Sequence, residues 1–148
     1  MNILNLLKED HQDVKDLLSQ MEKTTERGAK KRQQLWEKCR AALLAHAHAE
    51  NRVFYQPLLR EGDDPEMILE AEVEHQVVER LMDDIQSTDV TSEKWIAKVT
   101  VLKELVEHHV KEEESSIFKE ARKAFDRKQL EAMGDEFKQA KQQEMAMA

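Results

Sequence analysis

Six residues in this chain have types and spacings that could bind metal. His46-x-x-x-Glu50 and His109-x-x-x-Glu113 each put an imidazole and a carboxylate four residues apart, on one face if the segment is helical. His11 and His75 precede them, one in each half of the chain. The arrangement is a repeat: position 46 maps on 109, 50 on 113 and 55 on 118 at an offset of 63, and 11 maps on 75 at 64. Imidazole suits iron, zinc, copper and nickel, and carboxylate adds hard, anionic character. The duplicated order implies two cations. His11 and His46 would serve one, His75 and His109 the other, with Glu50 and Glu113 bridging. The pair would be oxo- or hydroxo-bridged, and two carboxylates with an oxo bridge would offset most of the charge of two iron(III) ions. A coordination position would stay open on each for a small ligand.

These residues sit on the stripes that should form the core. Apolar positions recur at spacings of three and four, the helical signature. The first stripe is Ile3, Leu7, His11, Val14, Leu18 and Met21. The second is Leu35, Cys39, Ala42, His46, Glu50 and Val53, with its helix expected to close around Pro57. The third is Ile68, Ala71, His75, Val78, Met82 and Ile85, and the fourth is Trp95, Val99, Leu102, Val106, His109, Glu113 and Ile117. A carboxylate on such a stripe is costly to bury unless paired or metal-bound, and two facing ones repel. A single stripe histidine is more often a hydrogen-bonded core residue than a ligand. Six candidate ligands on four seams, in repeated order, weigh against that simpler account.

Turn signals separate the stripes: Thr24 to Gly28, Gly62-Asp63-Asp64-Pro65, and Ser87 to Ser92, with Thr91 or Ser92 as an N-cap. Asp126-Arg127-Lys128-Gln129 reads as a capping box opening a fifth segment, which Leu130, Met133 and Phe137 could dock on the bundle. The expected fold is all-α, an antiparallel up-down-up-down four-helix bundle over residues 1–125. A short C-terminal helix and tail would occupy 126–148, frayed from Gln142 to Ala148.

Composition agrees. With 3 Gly, 2 Pro and 36% charged residues in 148, helix is favoured over sheet. A net charge of −8 and 5% aromatics argue against nucleic acid and anionic membranes as partners. No apolar run approaches the ~20 residues that span a bilayer. The N-terminus lacks the pattern of a secretory signal, and the lone Cys39 cannot form an internal disulfide, so a cytoplasmic location is expected. Gly-rich phosphate loops, Gly-x-Ser-x-Gly and Cys-x-x-Cys are absent from the sequence.

The motif set resembles the hemerythrin-like, or HHE cation-binding, domains. The resemblance rests on Asp10-His11, His46 to Glu50 with Val53 to Pro57, Glu74-His75, and His109 to Glu113 with Ile117-Phe118. It covers about residues 2 to 125. It implies a four-helix bundle with a non-haem di-iron centre, in which His11, His46, His75 and His109 are terminal ligands and Glu50 and Glu113 bridge. Its implied ligands are oxygen, peroxide or nitric oxide, and its implied roles are sensing, storage or stress response. Whether such a centre turns over substrate stays open. One departure matters. Oxygen-carrying members resemble five-histidine sites with His-x-x-x-His on the third helix, whereas four residues either side of His75 stand Ala71 and Glu79. Glu79, or Glu72 three residues before His75, could replace the missing ligand or simply face solvent. His108 with Glu112 offers a rival register that breaks the repeat. Tyr55 could be a redox or gating residue, although packing is the commoner role for such a tyrosine. Trp36 and Trp95 are expected to plug the bundle end.

Overall fold

The computed structural model describes residues 1–147, which are helical throughout apart from short connections. Helix α1 spans Ile3–Glu22, α2 Ala29–Glu50, α3 Gln56–Glu61, α4 Pro65–Gln86, α5 Glu93–Glu112, α6 Phe118–Ala124 and α7 Arg127–Met147. Capping accounts for several of the starts. The Asn2 side chain accepts from Asn5 N–H, Asp64 from Met67 N–H and Ser92 from Lys94 N–H, each satisfying a donor the helix cannot. Asp126 and Gln129 form a reciprocal box, each side chain accepting from the other's backbone N–H at 2.9 Å.

Four rods, α1, α2 with α3, α4, and α5 with α6, make the antiparallel bundle. Helices α1 and α5 pack together, as do α1 and α2, and α4 and α5. Two apolar clusters occupy its ends. Ile3, Leu7, Phe54, Leu58, Ile68 and Phe118 belong to one; Leu18, Met21, Trp36, Met82, Trp95 and Leu102 belong to the other. Trp36 and Trp95 are buried there as expected. Trp36 Nε1–H donates to Gln86 Oε1 at 2.7 Å, and the Arg32 guanidinium lies 4.8 Å over the Trp95 ring. The polar stripe residues fall between the two clusters.

Two features depart from the expected fold. First, the second helix does not close at Pro57. A π-turn at Asn51–Tyr55 leads into α3, which carries Pro57 in its first turn and ends at Gly62. A matching π-turn at Glu113–Ile117 joins α5 to α6. Gln56 N–H bonds Asn51 O, and Phe118 N–H bonds Glu113 O, both across five residues. In a plain α-helix the residue five beyond Glu50 lies about 140° around the axis. Closing the turn over five residues returns Tyr55 to the Glu50 side and Phe118 to the Glu113 side. Second, the C-terminal helix is not short. It runs 21 residues, packs on α1 and α2, and buries Leu130, Met133, Phe137 and Ala140. Residues 142–147 belong to it rather than to a frayed tail, and Ala148 lies outside the described residues. Gly134 lets α7 approach the N-terminus, since a Cβ there would collide with the Met1 carbonyl oxygen.

Candidate metal centre

The structure brings all six stripe residues together at mid-bundle. His11, His46, Glu50 and Glu113 offer one group of ligand atoms lying within 4.8 Å of one another; Glu50, His75, His109 and Glu113 offer a second. The glutamates, which both groups share, are fully buried, and neither exposes any side-chain surface. His11 Nε2 lies 3.1 Å from Glu113 Oε1, His75 Nε2 3.2 Å from Glu50 Oε1, and His109 Nε2 3.1 Å from Glu113 Oε2. The Nε2 atoms of His75 and His109 are 3.0 Å apart. Yet His11 Nε2, both Glu50 oxygens and Glu113 Oε1 make no hydrogen bond. Buried polar atoms that converge without bonding one another are costly for a closed protein network. They are the disposition that donors around a cation require.

Carboxylates stand behind three of the four rings. His46 Nδ1–H donates to Asp10 Oδ2 at 2.8 Å, His109 Nδ1–H to Glu74 Oε1 at 2.7 Å, and His11 Nδ1–H to Glu114 Oε2 at 2.7 Å. Each contact selects the tautomer that leaves the Nε2 lone pair aimed inward. Asp10 also pairs with Lys141 of α7, while Phe137 meets the His46 ring edge-on at 5.8 Å. Burial opposes ionising Asp10, but His46 and Lys141 hold its carboxyl below the usual range.

The charges are strongly coupled. Burial opposes charging His46, yet Glu50 and Asp10 outweigh it and lift its pKa to about 10. Burial likewise opposes charging His109, which Glu113 and Glu74 lift to about 10. Against its own burial, Glu113 is held well below the usual carboxylate range by its contacts with Glu50, His109 and His11. Without a cation, the balance is kept by protons on imidazole.

Tyr55 is part of this cluster. Its hydroxyl donates to Glu113 Oε2 in a short hydrogen bond and lies 3.2 Å from His109 Nε2 and 3.5 Å from His75 Nε2. Burial, then Glu113 and Glu50, push its pKa well above the ordinary value, so the proton stays on oxygen. The 63-residue repeat alone contained a hint, because position 55 belongs to it.

Several alternatives are resolved by position. His108 is 65% exposed and pairs with exposed Glu112, so the seam carries His109 and Glu113. Glu79 turns to His48 Nε2 at 2.9 Å, and Glu72 accepts from Gln56 Nε2 at 3.1 Å, so neither joins the cluster. Cys39 is buried in the Trp36 cluster, where desolvation raises its thiol to about 12. Asp10, Glu74, Glu114 and Lys141 make contacts the sequence did not suggest. A cavity of about 40 Å³ touches the four histidines and is otherwise walled largely by Val14, Leu43, Val78, Met82, Val106 and Val110.

Comparison with known proteins agrees with this geometry. The family model described as the hemerythrin HHE cation binding domain matches residues 2–121. A crystal structure of a hemerythrin HHE cation binding domain-containing protein from Mycobacterium kansasii superposes with a TM-score of 0.87. It does so at 20% identity, over 99% of this chain and 89% of that one, and so shares the fold. A DNA nickase from Nostoc sp. is 30% identical over 145 residues, which are 95% of this chain but 39% of the relative's length. With the family match spanning nearly all of a bundle whose core holds the paired His and Glu clusters, the chain belongs to the hemerythrin HHE cation-binding domain family.

Proposed function

We propose that this protein is a non-haem di-iron protein that binds oxygen or a related small ligand, in sensing, storage or stress response. The observation that carries the reading is the pair of buried donor groups sharing Glu50 and Glu113. His11 and His46 would hold one ion, His75 and His109 the other, and the two glutamates would bridge them. Two iron ions there would supply redox chemistry and open positions for a ligand. The protein's own residues do the rest. Asp10, Glu74 and Glu114 orient imidazoles from behind. The 40 Å³ cavity, with its aliphatic wall, has room for a diatomic molecule. No helix among the described residues is long and apolar enough to cross a membrane, and a cytoplasmic location remains part of this proposal.

A second reading is enzymatic: decomposition of peroxide or reduction of nitric oxide at the same centre. Tyr55 favours it, because its hydroxyl keeps a proton within reach of the second donor group. DNA nicking is not carried over from the Nostoc relative. This chain spans 39% of that protein, and its net charge of −8 opposes a polyanionic substrate.

The test is anaerobic reconstitution with Fe(II), then exposure in turn to oxygen, peroxide and nitric oxide. A spectrally stable adduct without turnover supports the binding reading. Turnover that disappears in Glu50→Gln/Glu113→Gln supports the enzymatic one. A reconstituted protein that responds to none of the three contradicts both.

A further inference from the structure

Three of the four histidines are backed by a carboxylate; two of these backings are repeat mates, and the third has no counterpart in the other half. Asp10, just before His11, supports His46 of the other motif; Glu74, just before His75, supports His109. The two halves do the same thing crosswise. His11 is supported by Glu114, the residue after Glu113. The repeat partner of Glu114 is the residue after Glu50, and there the chain has Asn51. No hydrogen bond reaches His75 Nδ1 among the described residues, and the amide of Asn51 accepts from Gln56 instead. The ring is positioned by stacking on Tyr55, with centroids 5.2 Å apart.

Access differs in the same sense. His75 is 14% exposed, against 5% for His11, and it opens on a cleft of about 140 Å³ that Asn51, Glu72, Gln76 and Glu79 also line. The two carboxylates on that cleft are committed elsewhere, Glu72 to Gln56 and Glu79 to His48.

From this we infer that the two cation subsites are inequivalent, and that the His75–His109 subsite is the weaker, exchangeable one, loaded and emptied through the Asn51 cleft. The inference rests on the two-cation reading above. A carboxylate behind an imidazole raises its basicity and fixes its orientation, and losing one costs about 10–100-fold in metal affinity. At position 51 the chain carries an amide where its repeat partner carries the carboxylate of Glu114. The ligand facing the open cleft is therefore also the one with no carboxylate to hold it in place.

The experiment is a Co(II) titration of the full, metal-stripped chain against a competing chelator, followed by the visible absorption of bound cobalt. Wild type should bind two ions in two steps separated by about tenfold or more. Asn51→Glu should tighten the weaker step by about tenfold and leave the tighter one in place. Glu114→Gln should loosen the tighter step by about 10–100-fold, drawing the two together. His75→Gln should abolish the weaker step alone. Two indistinguishable steps in wild type would overturn the inference, as would a folded Asn51→Glu variant with an unchanged weaker step. If that variant does not fold, Glu114→Gln decides, because loosening of the weaker step would contradict the assignment. Fewer than two cobalt ions at saturation would instead overturn the two-cation reading itself.

Discussion

Loading the site with metal should expel protons, and the structure sets how many and over what pH range. His46 and His109 are lifted to about 10 by the buried glutamates and their backing carboxylates. At pH 8 each is therefore largely protonated in the metal-free protein. A metal takes only neutral imidazole, so filling both subsites must release about two protons per chain from these residues. Ordinary imidazoles, with a pKa near ~6.5, would release almost none at pH 8. Zinc is a suitable probe, since it binds without redox change. Calorimetric titration in two buffers of different ionisation enthalpy gives the proton count directly. The count should stay near two from pH 7 to 9 and decline as the starting pH passes 10. Each subsite's apparent affinity should consequently fall about tenfold for each pH unit below that value. The same shifts fix the stability of the metal-free protein. The raised histidines contribute stability that is full below about 6.5 and lost as pH rises towards 10. Depressed Glu113 contributes stability that is present above 4.5 and lost as pH falls through its lowered value. The metal-free melting temperature should thus peak between about 4.5 and 6.5 and drop on the alkaline side. Heats independent of buffer at pH 8 would refute the coupling of these histidines to Glu50 and Glu113.

Further predictions concern single residues. Glu113→Ala should abolish or severely weaken metal binding at both subsites, whereas Glu112→Ala should leave occupancy unchanged; equal losses by elemental analysis would put the seam in the wrong register. Glu74→Gln removes the partner of His109 Nδ1 and should weaken the second subsite by about 10–100-fold in chelator competition. The Cys39 thiol, raised to about 12 by burial, should resist a thiol reagent at pH 8 in the folded protein and react only on unfolding. Reaction at the rate of a free thiol would contradict its placement. Gly134→Ala should cost about 1–3 kcal/mol in urea denaturation, because its Cβ has no room beside the Met1 carbonyl.

The six central residues were legible because burial and helix period together single out polar residues on an apolar stripe. His46-x-x-x-Glu50 needs only helix geometry to face inward. The repeat then selected His109 over His108, and the structure places them as 10% and 65% exposed side chains. What lay beyond helix geometry could not be read. The π-turn at Asn51–Tyr55 adds a phase shift that a 3.6-residue period does not express, so Tyr55 looked like one more packing aromatic. Glu114 stands in a run of acids, and only the packing of α1 beside the Glu113–Ile117 turn brings it to His11. The C-terminal helix was underestimated because Lys141 and Glu144 look like exposed charges. Their contacts with Asp10 and His48 exist only once α7 lies along α1 and α2.

Metal content per chain decides whether the bundle holds a pair of cations. Protein purified without oxygen or chelators should carry about two iron ions per chain by elemental analysis. Glu50→Gln/Glu113→Gln, purified alongside, should carry almost none. A folded wild-type chain that contains no iron and takes up none from added Fe(II) would contradict the account.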